Sequence, residues 1–289
     1  MNFWQKPVET LLELLQRKAP HLRQVRHFPS QHLHREVDFD VYLPPDYHRS
    51  PERKYPLVVF NDGQDLPVMH FSSILERLYY QQEVPHFIAV GVYASGERIH
   101  EYGTARQADY KQRGEKASQY TSFIINELLP TLERRFRLME GAEHRVIAGF
   151  SLGGLSAIDI AWAHPNLFGT AGVFSGALWW RWSPVHPENP DADRIMHDII
   201  RQSTHWHQGQ RFWFQCGTLD EEDDRNGNGI IDSIDDTLDL IRELLMKGCP
   251  ELDVYYHEMD GGRHEPHTWG EAMPVFLKWC LGGVLSPES

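Results

Sequence analysis

Hydrophobic and polar positions along the chain form two kinds of strand pattern. Residues 36–43 alternate apolar with polar side chains, the period of two expected for a strand with one buried face. Short continuous runs of β-branched and aromatic residues follow, which is typical of central strands covered on both faces. These runs are residues 57–60, 87–92, 146–148, 171–174, 212–216 and 252–256.

Segments with helical periodicity fall between and around the apolar runs. They cover residues 8–17, 72–80, 117–135, 152–163, 192–202, 236–247 and 268–281. This alternation of strand and helix predicts an α/β fold, a mostly parallel central sheet with helices on both faces. A length of 289 residues allows two domains. Because no linker or repeat interrupts the pattern, we predict one domain over residues 1–289, opened by an N-terminal helix within residues 1–20.

Composition and charge narrow the class of protein. Hydrophobic residues make up 41% of the chain and charged residues 24%, which excludes a disordered chain. The net charge of −13 argues against nucleic-acid binding, and no apolar run is long enough to span a membrane. The three cysteines fit no metal or redox spacing, and the N-terminus lacks a secretory signal pattern. We therefore expect a cytoplasmic protein that binds neither nucleic acid nor membrane.

A Gly-x-Ser-x-Gly motif centred on Ser151 directly follows the apolar run 146–148 and precedes a helical pattern. In that context the motif predicts a nucleophile elbow, a sharp turn that exposes the serine hydroxyl above the sheet edge. The helix that begins after Ser151 would stabilise developing negative charge. The flanking Gly149 and Gly153 leave room for the neighbouring chain. We predict Ser151 as a catalytic nucleophile.

A nucleophilic serine needs a histidine base, which in this arrangement follows the serine in the chain. The base is expected on the loop after the last strand. Residues 252–256 are the last apolar run, and Gly261-Gly262-Arg263-His264 follows them. We predict His264 as the base, with His267 as the alternative.

The acid that orients the histidine is expected at the end of the preceding strand. The run 212–216 leads into Gly217-Thr218-Leu219-Asp220, so Asp220 is the first carboxylate past that strand. Four further acids follow at residues 221–224. We predict Asp220 as the third member of a Ser-His-Asp triad.

These pieces together resemble the putative-esterase family of α/β-hydrolases, which includes esterase D, enterochelin-esterase and feruloyl-esterase-like enzymes. The matching segments are residues 41–47, 55–57, 61–64, 149–154, 217–220 and 261–264, in family order. The resemblance implies the α/β-hydrolase fold and a serine esterase, with the family's serine, aspartate and histidine at Ser151, Asp220 and His264.

Further residues are candidates for stabilising and binding the substrate. The oxyanion hole is expected to use the backbone N–H of Leu152 and one from the loop after residues 57–60, where Gln64 or Gly63 is the donor. Trp179-Trp180 and the Arg98-x-x-Glu-Tyr102 element resemble segments of the enterochelin-esterase branch. The tryptophans could stack on a planar group or form a lid over the core. Arg98 could bind a substrate anion or pair internally with Glu101.

Residues 224–235 fit the twelve-position calcium loop of an EF-hand. Gly229 stands at the turn position, and Asp235 stands at position 12, where glutamate is usual. Because loop and not helix precedes this segment, it would be half an EF-hand, similar to the loop-helix calcium sites of dockerins. A solvated acidic turn is the alternative interpretation. The predicted Ca²⁺ ligands, with a structural role, are Asp224, Asn226, Asn228, Ile230, Asp232 and Asp235.

The leading hypothesis is a serine carboxylic-ester hydrolase that acts on a small-molecule ester through an acyl-enzyme. Acyl transfer to an alcohol acceptor would use the same triad. A non-catalytic calcium-binding or interaction domain on the same scaffold is the alternative from another class. The acyl group, the alcohol and the oligomeric state are left open by the sequence.

Overall fold

A computed structural model gives the fold and describes residues 19–204 and 206–282. The helix predicted near the N-terminus lies outside these residues. Within them, eight strands form one sheet. The strands are β1 (His21–Ser30), β2 (Arg35–Leu43), β3 (Leu57–Asn61), β4 (Ile88–Val92), β5 (Arg145–Phe150), β6 (Thr170–Phe174), β7 (Arg211–Leu219) and β8 (Val254–Arg263).

The spatial order of the strands is β1-β2-β4-β3-β5-β6-β7-β8. The pairs β1–β2 and β2–β4 are antiparallel, and every pair from β4 onward is parallel. The central β3 thus pairs with β4 on one side and β5 on the other. This is the α/β-hydrolase fold, with a mostly parallel sheet as the sequence predicts.

Helices cover both faces of the sheet. They are α1 (Phe71–Tyr80), α2 (Arg98–Glu101), α3 (Ala117–Phe123, a π-helical turn Ile124–Leu128, and Leu129–Arg135), α4 (Leu152–Ala163), α5 (Ile195–Gln202), α6 (Asp232–Met246) and α7 (Pro266–Leu281), with single 3₁₀ turns at Gly63–Asp65, Ala142–His144 and Glu251–Asp253. None of these helices is long and apolar enough to cross a bilayer.

Alternate residues of the central strands serve two hydrophobic layers. In β3, Val58 and Phe60 pack with α1 and α7, whereas Leu57 and Val59 pack with α3 and α4. Because both faces of β3 are covered, all five of its residues are buried, which explains its continuous apolar sequence. The same reasoning holds for β4, β5 and β6, whose residues are also buried throughout.

Some predicted boundaries are wrong. Strand β1 was not predicted, because this edge strand is largely exposed and its sequence is polar. Helix α5 begins at Ile195 and not at residue 192, whereas α6 begins at Asp232, inside the predicted calcium loop. Strand β8 continues through Arg263, so the two glycines assigned to a loop belong to the strand.

Candidate active site

Ser151 lies in the sharp turn between β5 and α4. Its backbone dihedrals are φ 55° and ψ −121°, a region that residues with a side chain rarely adopt. The turn is held on both sides, because the Ser151 N–H donates to Phe174 O (2.8 Å) and its carbonyl accepts from Ala177 N–H (3.1 Å). A Cβ on Gly149 would lie 2.3 Å from the Gly153 carbonyl oxygen, so the chain closes here only with glycine. The predicted strand–turn–helix elbow is confirmed.

Asp220 and His264 come from the ends of the neighbouring strands β7 and β8. The strands approach closely there, since a Cβ on Gly217 would lie 2.3 Å from the Gly262 carbonyl oxygen. Asp220 accepts a hydrogen bond at Oδ2 from Gly217 N–H (3.0 Å). Its other oxygen, Oδ1, is buried, and the Ser175 hydroxyl acts on the same carboxylate. His264 follows β8 directly, at the same edge of the sheet as the elbow.

The two groups act on each other electrostatically. Burial raises the pKa of Asp220, opposed by the Gly217 N–H and by the charge of His264. Partial desolvation lowers the pKa of His264; Asp220 opposes this shift and the Arg98 guanidinium adds to it. The neighbouring Glu221 has a different role: burial raises its pKa to about 7, and it accepts a backbone hydrogen bond from Ser233 at the start of α6. Among the acids at residues 220–224, Asp220 is therefore the one placed to act on His264.

Trp269, in the first turn of α7, connects the three strand ends and was not predicted. Its ring packs edge-on against His264 (centroids 5.4 Å apart) and stacks on Phe150, the residue before Ser151 (5.1 Å). Its Nε1–H donates to the buried Ser175 Oγ (2.9 Å). A tryptophan five residues after the candidate histidine, at the start of a helix, is the sequence signal that could have identified this role.

The two predicted oxyanion-hole loops face the elbow region. Leu152 is the first residue of α4, and Gln64 lies in the 3₁₀ turn after β3. Within the described chain, neither backbone N–H has a hydrogen-bond acceptor, so both are free to bind an oxyanion. Gly63 packs against the backbone of Gly91, where a Cβ would lie 2.1 Å from the Gly91 carbonyl carbon.

An ion pair between Arg98 and Asp62 supports the loop that carries Gln64. Arg98 Nε and Nη2 each lie 2.7 Å from an Asp62 carboxylate oxygen, and Nη2 also donates to Phe150 O (3.3 Å). Asp62 is almost completely buried against Gly153 of the elbow. The predicted pairing of Arg98 with Glu101 is wrong, because Glu101 forms a bidentate pair with Arg35 instead.

The residues predicted to bind substrate separate into buried and exposed positions. Tyr102 and Trp180 are fully buried, which does not fit direct contact with a substrate. The Tyr102 hydroxyl accepts the Asp62 N–H (3.2 Å) and the ring lies beneath the Arg98 guanidinium. Trp179 is 36% exposed. It borders a cavity of about 350 Å³ lined by Tyr110, Trp179, Arg181, Val185, Asp223, Asp224, Arg225 and Asp232.

The acidic loop at residues 224–235 folds around its own polar groups. The Asp224 carboxylate accepts the N–H groups of Gly227, Asn228 and Gly229 (2.8–3.1 Å). The amides of Asn226 and Asn228 both donate to Asp235 Oδ2 (2.8 and 3.3 Å).

Asp232 is turned away from this group and pairs with Arg225 (3.2 Å), whose guanidinium also contacts Asp191 and the buried Asp236. Ile230 is exposed and its N–H binds Asn228 Oδ1 (2.8 Å). Across residues 19–204 and 206–282, no three His, Cys, Asp or Glu side chains are placed to hold a metal.

Comparison with protein families gives a match to the family described as "Putative esterase" over residues 30–280. Among curated proteins, the uncharacterized protein YbbA of Bacillus subtilis (strain 168) is 29% identical over 155 residues, 52% of this chain and 61% of YbbA. An endo-1,4-beta-xylanase/feruloyl esterase of Xylanibacter ruminicola is 25% identical over 163 residues, 53% of this chain and 21% of that protein. The chain thus spans less than two thirds of the curated relatives it matches.

Solved structures share the fold at low sequence identity. A ferulic acid esterase superposes with a TM-score of 0.69 at 20% identity, covering 92% of this chain and 98% of its own. The enterobactin esterase of Shigella flexneri, solved in the presence of enterobactin, gives 0.72 at 19% identity, covering 93% of this chain and 61% of its own.

Proposed function

The chain belongs to the putative esterase family, a family of ester hydrolases, and we propose that it hydrolyses a small carboxylic ester with Ser151 as nucleophile. His264 would act as the base and Asp220 would orient it. The observation that carries the proposal is the elbow itself: a serine held at φ 55° between β5 and α4, at the sheet edge where β7 and β8 deliver Asp220 and His264.

The proposed reaction follows the double displacement of serine hydrolases. Ser151 Oγ attacks the ester carbonyl carbon while His264 takes the hydroxyl proton. The tetrahedral oxyanion is stabilised by the N–H groups of Leu152 and Gln64. Collapse expels the alcohol, which receives the proton from His264 and leaves an acyl-enzyme. Water then attacks the acyl carbon, with His264 again as base, and releases the carboxylic acid.

The surroundings of Asp220 support its proposed role. The Gly217 N–H and the Ser175 hydroxyl act on its carboxylate, and so does the charge of His264. An aspartate in this position fixes the tautomer of the histidine and stabilises the imidazolium formed during the reaction. The shift of each pKa by the charge of the other group supports the same pairing.

We propose that Trp179 contacts the substrate. It lies two residues after Ala177, whose N–H donates to the Ser151 carbonyl, and it borders the cavity of about 350 Å³. Aromatic groups on the acyl or alcohol side would stack on this exposed ring. The names of the relatives, feruloyl esterase and enterobactin esterase, agree with such a substrate.

The test is labelling with a fluorophosphonate, read by intact mass, followed by hydrolysis of 4-nitrophenyl acetate. We expect one adduct on the parent protein and on Ser73→Ala, a control serine exposed on α1, and none on Ser151→Ala. His264→Gln should lower kcat/KM by roughly 10⁴-fold or more, whereas the exposed His267→Gln should stay within about twofold. A labelled Ser151→Ala protein, or equal losses for the two histidines, would contradict the proposal.

Two alternative functions give different outcomes in the same assays. Acyl transfer uses the same acyl-enzyme, so a transferase would label normally but form more ester than acid when an alcohol acceptor is added. A non-catalytic domain on this scaffold would remain folded and unlabelled. The closely built elbow and the placement of Asp220 beside His264 favour the hydrolase over a non-catalytic domain.

We also propose that residues 224–235 bind Ca²⁺ with a structural role. Asp224 is fixed by three backbone N–H groups, and Asn226 and Asn228 reach Asp235 through their amide N–H groups, so both amides would turn over to present their oxygens to the ion. Carboxylate, amide and backbone oxygens are the donors that Ca²⁺ takes. The bound ion would offset the repulsion among the acids of residues 224–235, a segment whose one cationic side chain is Arg225. It would also hold in place the connection between β7 and α6, which carries Asp220.

Calcium binding is tested by thermal unfolding in Ca²⁺, Mg²⁺ and EDTA. At a hundredfold excess over Kd, Ca²⁺ should add about 2.7 kcal/mol, which for this chain length is a rise in Tm of about 4 °C. The rise should disappear in Asp224→Asn and remain in Glu251→Gln, which removes an exposed carboxylate outside the loop. Equal Tm values in Ca²⁺ and EDTA for the parent protein would refute the site.

We propose, finally, that the protein is a single domain located in the cytoplasm. All eight strands of the described chain lie in one sheet. Cys216, Cys249 and Cys280 are buried and unpaired, which suits a reducing compartment.

A further inference from the structure

One cavity of the described chain lies far from the candidate active site. It is a groove of about 630 Å³ at the amino ends of β3 and β5. Since a strand rises about 3.3 Å per residue, the groove and Ser151 lie roughly 20 Å apart at opposite ends of β5. We call it the basic groove, and its lining residues are Tyr47, Lys54, Glu133, Arg134, Arg135, Phe136, Arg137, Leu138, Met139, Glu140 and Arg145.

The charge of the basic groove opposes that of the whole protein. Five cationic side chains line it against the two carboxylates Glu133 and Glu140, although the chain as a whole carries −13. The two carboxylates pair with Arg145 (2.6 Å) and Lys54 (2.7 Å). The other three cations have no carboxylate partner among the described residues. A concentration of positive charge on an acidic protein attracts anions to this one place.

Arg137 is held in the groove without neutralisation. Its guanidinium lies over the Tyr47 ring, 3.8 Å from the centroid, and donates to the carbonyl oxygens of Tyr47 and Arg53. These contacts fix the side chain but leave its charge uncompensated. Within the part of the chain that the structure describes, the Arg134 guanidinium donates to Thr131 Oγ1 (2.9 Å) and to no carboxylate. The groove therefore presents guanidinium groups that a ligand could bind through paired N–H donors.

Arg145 supplies the observation that points to a ligand. The residue is 8% exposed, and one guanidinium nitrogen binds Glu133. Its Nε is buried and has no hydrogen-bond partner among the described residues. A buried N–H of a charged group without an acceptor is costly, and an anionic oxygen in the groove would satisfy it.

We propose that the basic groove is a binding site for a small anion that carries at least two phosphate or carboxylate groups. One group would bind beside Arg145, and a second would bind the guanidinium groups of Arg134, Arg135 or Arg137. The volume suits a molecule of metabolite size. The site is separate from the proposed esterase chemistry and does not depend on it.

The test is isothermal titration of the parent protein with pyrophosphate and citrate at constant ionic strength. Pyrophosphate and citrate distinguish phosphate from carboxylate ligands, and acetate serves as the monoanion control. We expect saturable binding of at least one of the two polyanions and none of acetate.

Variants that remove arginine charge inside and outside the groove assign the binding. Arg134→Gln with Arg135→Gln should weaken binding about tenfold or more, since each removes charge-assisted hydrogen bonds. Arg242→Gln, an exposed arginine on α6, removes charge elsewhere and should leave the Kd unchanged. Arg145→Lys keeps the charge but lacks Nε, and should also weaken binding. No saturable heat with either polyanion, or equal Kd values for the parent and the double variant, would overturn the proposal.

Discussion

The backbone strain at Ser151 predicts that a glycine at this position makes the protein more stable while abolishing catalysis. A residue with a Cβ at φ 55° and ψ −121° is in a sparsely populated region that costs about 1–3 kcal/mol. Glycine adopts the same conformation without that cost. Ser151→Gly and Ser151→Ala both remove the hydroxyl, but only the glycine variant removes the strain.

The expected size follows from two opposing effects. Relief of strain favours Ser151→Gly by about 1–3 kcal/mol, whereas the extra freedom of glycine in the unfolded chain costs about 0.4–1 kcal/mol. The difference from Ser151→Ala is therefore about 1.5 kcal/mol in favour of glycine. For 289 residues the unfolding entropy is about 0.6 kcal/mol/K, so the Tm should rise by about 2 °C.

Scanning calorimetry of the parent protein and the two variants measures this difference, with urea unfolding as the second probe. Neither variant should react with a fluorophosphonate, so catalysis and strain are read separately. A Ser151→Gly protein that is less stable than Ser151→Ala would refute the reasoning, since the elbow would then not be strained. Ser73→Gly against Ser73→Ala is the control on an unstrained helix, where glycine should be the less stable of the two.

Three further predictions follow from single contacts. Desolvation and Arg98 lower the pKa of His264, which must be neutral to act as a base. The acid limb of the pH profile of kcat/KM should therefore lie below pH 6.5 and should move to higher pH in Arg98→Gln. An unmoved limb would contradict the electrostatic assignment. Burial raises the pKa of Asp159 to about 6, so the folded state binds this proton more tightly than the unfolded state does and loses stability as the pH rises from about 4 to 6. This pH dependence should vanish in Asp159→Asn. In urea unfolding at pH 8 the variant should be about 2–3 kcal/mol more stable than the parent, and a variant that is not more stable there would count against the assignment. A Cβ on Gly172 would lie 2.6 Å from the Phe276 ring, so Gly172→Ala should lower the free energy of unfolding by about 1–3 kcal/mol. Adding Phe276→Leu to that variant should restore part of the loss, whereas additive losses in the double variant would exclude the clash.

The fold could be predicted where burial determines the sequence. Strands β3 to β6 are covered on both faces, so each is built around a continuous apolar run that stands out from the rest of the chain. Strand β1 lies at the edge and is mostly exposed, so its polar sequence carries no such pattern. The positions of Ser151, Asp220 and His264 follow from the strands because each lies at a strand end, which is a local property of the chain.

The supporting contacts of the site are not local and could not be read from the sequence. Arg98 has an acid three residues away, at the spacing of an ion pair within a helix, yet it pairs with Asp62 across the loop after β3. Which carboxylate it reaches depends on how two loops meet at the sheet edge. Likewise, adjacent Trp179 and Trp180 differ in burial, since consecutive residues of a turn point in different directions.

The strand order also has a consequence for synthesis of the protein on the ribosome. The central β3 pairs with β4, about 30 residues later, and with β5, about 90 residues later. At about 5–20 residues per second, one edge of this buried strand waits roughly 5–18 s for its partner to be translated. During that interval the nascent chain leaves an apolar strand edge unpaired, so chaperone capture should be strongest before residue 150 has emerged. The turn at Ser151, directly after β5, can form only when this exposure ends.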